Sequence, residues 1–296
     1  MNFNHKSVAV ILTTYNPDMN VLKDNINSYI SQCGKLIVCD NSDDYELVME
    51  IEQLCNEFFD AVYLSMNGNK GIACAQNRGV EFAISEGFEF FLEIDQDSKL
   101  PSDYSIRILS SYFLLYKNNI SIAGIGPVTK RGPQNFIDDD HQAERDLTFV
   151  DETLSSGFLY AKSAYQLVGK KDEALFIDYV DWDWCWRAKK LGLNVAVDKS
   201  IKIEHVLGEG NYKILWFHVG IAAPIRLYYQ YRNSLYIMQK GYVSYWWKTK
   251  RFFILALKIP FFFIFADRKK ERAYYIKKGV LGFLKKEKGK LSESRN

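Results

Sequence analysis

An alternation that runs through the first 126 residues most restricts what this chain can fold into. Short apolar runs at 7–13 (SVAVILT), 36–40 (LIVCD), 61–65 (AVYLS), 88–95 (FEFFLEID) and 121–126 (SIAGIG) are separated by longer stretches of helical character. Those stretches lie at about 20–31, 45–58, 71–85 and 103–117. Short strands alternating with helices predict a mostly parallel sheet with helices on both faces. In such sheets ligands bind beyond the carboxyl ends of the strands. Polar residues collect at those ends: Tyr15-Asn16, Asp40-Asn41 and Asp95-Gln96-Asp97. Any one of them could be a helix cap or a turn; three together point to one site.

Further along, 130–152 is polar and acid-rich, with Asp138, Asp139 and Asp140, and reads as a loop. SSGFLYAK (155–162) reads as a short strand after a tight turn, and 176–192 as an extended segment that becomes a helix ending at Gly192. NVAVD (194–198) and IKIEH (201–205) read as two more strands. The character then changes, so the expected division is 1–221 for the α/β body and 222–296 for a helical C-terminal region.

Charge supports that division. Residues 238–296 hold sixteen Lys or Arg against four Asp or Glu, whereas the rest holds 22 basic and 32 acidic residues. A basic tail on an acidic body suits an anionic membrane surface or nucleic acid. Within the tail, 226–239 reads as an amphipathic helix, and 252–266 is apolar apart from Lys258 and Pro260. A spanning helix needs about twenty residues, so the aromatic, basic tail is expected to lie on the membrane; the alternative is a hydrophobic hairpin packed on the body. Five scattered cysteines without a CxxC pair fit a reducing cytoplasm, and an N-terminal apolar run of about six residues is too short for a signal peptide core.

Four constellations can carry chemistry. Asp95 and Asp97, two apart at a strand end, can hold Mg²⁺ or Mn²⁺ together with nucleotide phosphates. The run 69–79 (NKGIACAQNRG) places small residues at the start of a helix, where either a ligand or the sheet can approach closely; it is not a GxGxxG fingerprint. Asp178, Asp181 and Asp183 precede Arg187; a carboxylate there could cap the helix or deprotonate a hydroxyl. His205 ends a strand before a glycine-rich loop, a place for a ligand.

The order TTYNP, CDNSD, NKGIACAQNRG, EIDQDS, SSGFLY, FIDYVDWDWCWR and EH resembles family 2 glycosyltransferases of GT-A fold, in particular bacterial rhamnosyltransferases of surface-polysaccharide synthesis. The resemblance covers roughly 7–235. It implies an inverting, metal-dependent transfer from a nucleotide sugar, dTDP-rhamnose foremost, with galactofuranose, glucose or N-acetylhexosamine donors as alternatives. The implied acceptor is a glycan, lipid-linked at the cytoplasmic face of the membrane. Thr13, Tyr15, Asn16, Asp40, Asn69, Gly71, Asn77 and Asp95 match the donor-binding positions. Asp97, with Asp95 and His205, matches the metal ligands; Asp181 matches the catalytic base, with Asp183 as its possible substitute; Ser156, Gly157 and Trp182 match the acceptor side.

Rival readings leave more unexplained. A haloacid-dehalogenase-type phosphatase uses a DxD after a strand, usually the first, whereas here it follows the fourth. A nucleic-acid-binding tail leaves the acidic body without a role, so no nucleic acid is expected, and a non-catalytic membrane protein leaves Asp97, Asp181 and His205 without one.

Overall fold

The computed structural model describes residues 5–131, 145–205, 211–214, 217–220 and 223–292. The acidic run 138–140 and the glycine-rich stretch after His205 lie outside the described residues. The first half follows the expected alternation: β1 (Val8–Thr14), α1 (Met19–Tyr29), β2 (Lys35–Asp40), α2 (Tyr45–Asn56), β3 (Ala61–Ser65), α3 (Ile72–Ser85) and β4 (Phe90–Asp95). Asp18 and Asp44 start α1 and α2 by accepting hydrogen bonds from the first free backbone N–H groups of each helix, at 2.9–3.1 Å and 2.9–3.4 Å. Then come β5 (Ser98–Lys99), α4 (Tyr104–Lys117), β6 (Ile122–Arg131), β7 (Leu147–Val150), β8 (Phe158–Ala161), α5 (Lys162–Val168), α6 (Val180–Lys190) and β9 (Asn194–His205). A two-stranded ribbon of β10 (Asn211–Ile214) and β11 (Phe217–Gly220) precedes the helices α7 (Pro224–Gln239), α8 (Tyr245–Phe265) and α9 (Lys269–Leu284).

The sheet order is β3-β2-β1-β4-β8-β6-β9-β5, with β7 paired to β9. The first four strands are parallel to one another. Beyond β4 the pairing is mixed: β8 runs antiparallel to β4 and β6, while β6 and β9 are parallel. Both faces are covered. Val8, Val10 and Leu12 of β1 pack with one helical layer and Ala9 and Ile11 with the other, all fully buried. Gly79 of α3 belongs to that packing: a Cβ there would stand 2.6 Å from Ile11 and 2.8 Å from Cys39. The small-residue face of α3 therefore lets helix and sheet touch.

Three local expectations differ. Residues 147–150 form a strand inside the stretch expected as a loop. The two strands expected at 194–205 are one, with a register shift against β6 between Pro127 and Val128. Residues 176–179 are not extended: Phe176, Asp178 and Tyr179 have φ of 65°, 64° and 69°.

The C-terminal helices are not a separate body. Ile237, Val243 and Trp247 pack with Ala73, Leu175, Tyr179 and Trp186. Leu255 and Phe262 of α8 join Leu227 and Tyr231 of α7 and Ile276 of α9. The other side of α8 exposes Phe252, Phe253, Leu257, Phe263 and Ile264. Among the described residues no helix is long and apolar enough to cross a membrane.

Candidate active site

The strand register gathers the expected residues at one edge of the sheet. Thr13 lies beside Asp95, Thr14 beside Asp40, and Asp40 beside Ser65. Two loops are tied across that edge: the Tyr15 backbone N–H donates to Gln96 Oε1 at 2.6 Å, and Gln96 Nε2 donates back to the Tyr15 carbonyl at 3.3 Å. Asn16 sits at φ 42°; its N–H donates to Ser42 Oγ and its Oδ1 accepts from the Asp43 N–H at 3.2 Å. The Asn69 N–H donates to Asp43 Oδ1, and Asn69 Oδ1 accepts from the Gly71 N–H, both at 3.0 Å. Gly71 starts α3 at φ 92°, where a Cβ would stand 2.6 Å from Phe176. Thr13 Oγ1 is buried and has no hydrogen-bond partner among the described residues.

Several matched residues turn inward. Asp40, 1% exposed, accepts from Thr14 Oγ1 (2.8 Å), the Ser42 N–H (3.1 Å), Ser42 Oγ (2.6 Å) and Tyr63 OH (3.0 Å). Its oxygens fasten the loop after β2. Asn77 is clamped to the segment before α6, donating to the Lys171 carbonyl and Glu173 and accepting from the Lys171 N–H. Ser156 and Gly157, expected on the acceptor side, support the acidic loop from behind. Ser156 Oγ lies 2.7 Å from Ser98 Oγ and accepts from the Asp95 N–H, while the Gly157 N–H donates to the Glu93 carbonyl at 2.7 Å. Their neighbours Leu154 and Ser155 line the cavity. Asp43 is the polar residue that the motif reading missed: it is exposed, and the Asn69 N–H beside its carboxylate holds that group below its ordinary pKa.

A cavity of about 380 Å³ opens beside this edge. Asp95, Gln96 and Asp97 form one wall, Asp178, Asp181 and Trp182 a second. The third is helical: Arg226 and Gln230 from α7, Arg251 and Lys258 from α8. The backbone pairing of β5 with β9 sets His205 opposite Ser98, one residue from Asp97. The side chain of His205 lies outside the described residues.

Asp181 follows the three left-handed residues, a costly conformation for side chains of this size. They are held from α7. Asn233 Nδ2 faces the carbonyls of Leu175, Ile177 and Asp178 at 2.8, 2.7 and 3.3 Å, and Arg232 donates to those of Ala174 and Leu175. Phe176 stacks on Tyr229 at 5.0 Å, and Arg226 pairs with Asp178 at 3.1 Å. Residues 289–291 close the same region: the Gly289 carbonyl accepts from Arg232, the Leu291 N–H donates to Tyr229 OH, and Lys290 stands 3.6 Å from Asp43.

Burial pushes the Asp181 carboxyl up to about 6, a rise that the Lys171 ammonium partly offsets. Lys171 is itself buried, ion-paired with Glu93 and bonded to Gln76 Oε1 at 2.8 Å. Asp183, two residues on, is in a different situation. It is 1% exposed, accepts from Arg187 Nε at 2.9 Å and from Tyr242 OH, and does not line the cavity.

The sequence profile described as "Glycosyl transferase family 2" matches residues 9–131. A dTDP-rhamnosyl transferase, RfbF of Shigella flexneri, is 30% identical over 254 residues, which cover 81% of this chain and 82% of that protein. Two solved structures share the architecture. TarS of S. aureus in complex with UDP-GlcNAc superposes with a TM-score of 0.54 at 16% identity, over 94% of this chain and 80% of that one. GalNAc-T7 with UDP, GalNAc and Mn²⁺ gives 0.57 at 10% identity, over 94% of this chain and 56% of that one. At those identities the likeness is one of fold.

Proposed function

Because the chain belongs to glycosyl transferase family 2, a glycosyltransferase with a GT-A sheet, we propose that it moves rhamnose from dTDP-rhamnose, with inversion, onto a lipid-linked glycan of surface-polysaccharide synthesis. The donor is argued from the relative that is 30% identical. The observation that carries the mechanism is the position of Asp181 in the same cavity as Asp95 and Asp97.

Asp181 is the base. A carboxyl poised near 6 is ionised at neutral pH yet basic enough to take a proton in the transition state. It accepts the proton of the acceptor hydroxyl, whose oxygen bonds to the anomeric carbon. The bond from that carbon to the diphosphate breaks on the opposite face, and its electron pair leaves with the nucleoside diphosphate. Positive charge spreads over the sugar ring at the transition state, as in glycoside hydrolysis. Asp183 positions α6 through Arg187, and Trp182 offers the acceptor sugar an aromatic face.

The tied loops of Tyr15, Asn16, Asp43 and Asn69 form the nucleoside side. Asp95 and Asp97 at the cavity wall are carboxylates of the kind that Mg²⁺ or Mn²⁺ takes and would hold such an ion, with His205, whose backbone the β5–β9 pairing brings near, as the further ligand that the resemblance implies. Such an ion, when bound, stabilises negative charge on the leaving diphosphate. The exposed apolar side of α8, between clusters of Lys and Arg, lies on the inner face of the cell membrane.

A panel of nucleotide sugars with Mg²⁺ or Mn²⁺, read by nucleoside diphosphate release, tests the reading. dTDP-rhamnose is expected to be turned over fastest. A preference for a galactofuranose, glucose or N-acetylhexosamine donor would overturn the choice of sugar.

A further inference from the structure

Arg251 and Lys258 are seven residues apart on α8, about two turns, and both line the cavity. Both are half-buried. Arg226 beside them has its counter-charge in Asp178. Among the described residues neither Arg251 nor Lys258 is ion-paired with a carboxylate. Arg251 is held over the Tyr179 ring at 4.8 Å with its Nε 3.4 Å from Ser234 Oγ. Lys258 donates to the amide oxygen of Gln230, at 3.3 Å. Burial lowers the pKa of both groups, Arg251 adds its repulsion at Lys258, and the Asp178 carboxylate, already paired with Arg226, offsets only part of this. Two like charges taken from water without an ion pair of their own are costly, and such a cost is retained where an anion repays it.

Two anions come within reach of a transferase cavity: the diphosphate of the donor and a phosphate on the acceptor. The acidic wall of Asp95 and Asp97 would take the first through a divalent ion. Arg251 and Lys258 lie on the cavity side of a helix whose other side exposes Phe252, Phe253, Leu257, Phe263 and Ile264. A phosphate held between them would have an apolar path for a lipid chain beside it. We propose that Arg251 and Lys258 form a subsite for the phosphate of a lipid-linked acceptor. Asp181 lines the same cavity as Arg251 and Lys258, so the hydroxyl offered to it then belongs to a sugar close to the lipid phosphate. The enzyme therefore acts early in chain assembly, after the reaction class that joins a first sugar to a prenyl phosphate. This rests on the glycosyltransferase reading with a lipid-linked acceptor.

Calorimetric binding of geranyl diphosphate in the absence of metal and donor tests the site without requiring catalysis. Wild type is expected to bind it, and Lys258→Met and Arg251→Gln each to weaken it about tenfold or more. Binding of thymidine diphosphate with Mn²⁺ is expected to persist in both variants and to fall in Asp97→Ala. Lys258→Met removes an uncompensated charge, so its Tm is expected to equal or exceed that of wild type, which separates lost binding from lost folding. If wild type does not bind geranyl diphosphate, or if the two α8 variants lose thymidine diphosphate instead, the subsite is wrong. Transfer by wild type to a simple alkyl glycoside would still uphold the transferase reading in that case.

Discussion

The two main walls of the cavity are built by opposite means. The strand-end wall takes its positions from a backbone ladder: once β1, β2 and β4 pair in register, Thr13, Asp40 and Asp95 share an edge whatever their side chains do. The opposite side, made of the Asp181 wall and the helices α7 and α8 that hold it, has no ladder. Asp181 is placed by a left-handed run that is kept in shape by side chains of α7 reaching backbone carbonyls. The first wall can absorb substitutions; the second depends on single residues. The two sides also differ in charge: the strand ends carry Asp95 and Asp97, whereas the helical side sets Arg226, Arg251 and Lys258 of α7 and α8 beside Asp178 and Asp181.

Asp181→Asn should separate the walls most sharply. Loss of the base is expected to cost about 10²–10⁴ in turnover, with donor affinity kept because the strand-end wall is untouched. In wild type, kcat/KM should rise with pH up to about 6 and level off above it, as Asp181 becomes ionised. The raised pKa also means that the folded chain holds a proton more tightly than the unfolded one, so this group lowers stability as pH climbs from its ordinary 3.8 towards 6. Asp181→Asn should therefore have the higher Tm at neutral pH, and the gain should vanish below about pH 3.8. A pH profile unchanged in shape by the substitution would remove Asp181 from the role.

Asp183→Ala tests the neighbouring carboxylate. It leaves Arg187 without its buried partner, at a cost of about 3 kcal/mol. Thermal melts should show the loss, while the protein that remains folded keeps the wild-type pH profile. If that profile shifts, Asp183 shares in the proton transfer.

Asn233→Ala takes a donor from the carbonyls of Leu175, Ile177 and Asp178, of which that of Leu175 keeps Arg232. A loss of about 1–3 kcal/mol is expected, accompanied by a fall in kcat that exceeds any change in nucleotide affinity. An equal fall in both would mean that the helical wall also shapes the donor side. The smallest effect belongs to the outer face of α8. Flotation with anionic liposomes should weaken with salt, by about 1 kcal/mol for each Lys or Arg removed from the flanks. Leu257→Asp should weaken it at all salt concentrations.

The same contrast explains what was legible beforehand. Strands β1 to β4 announce themselves as apolar runs that end in a polar residue, and the register does the rest. The sequence marks Asp40 as an acid at a strand end, but not that Thr14, Ser42 and Tyr63 would use its oxygens. The same holds for Asn77 and Ser156, whose partners come from segments 94 and 58 residues away. Phe176, Ile177 and Tyr179 have the composition of a strand, so nothing local signals left-handed backbone. Lys258 reads as an interruption in an apolar run. Its one sequence signal is that it falls seven residues after Arg251, on the same side of a helix.

The bonds from residues 289–291 to Arg232, Tyr229 and Asp43 have a consequence in time. The strand-end edge closes within the first hundred residues, whereas the clamp on residues 174–178 needs α7, and α7 is itself braced by contacts almost 60 residues further on. Domains are synthesised from the N-terminus and gain structure in that order. A chain still on the ribosome would thus hold its strand-end loops in register well before Asp181 is fixed. Competence for transfer would come last, when the residues that brace α7 have emerged.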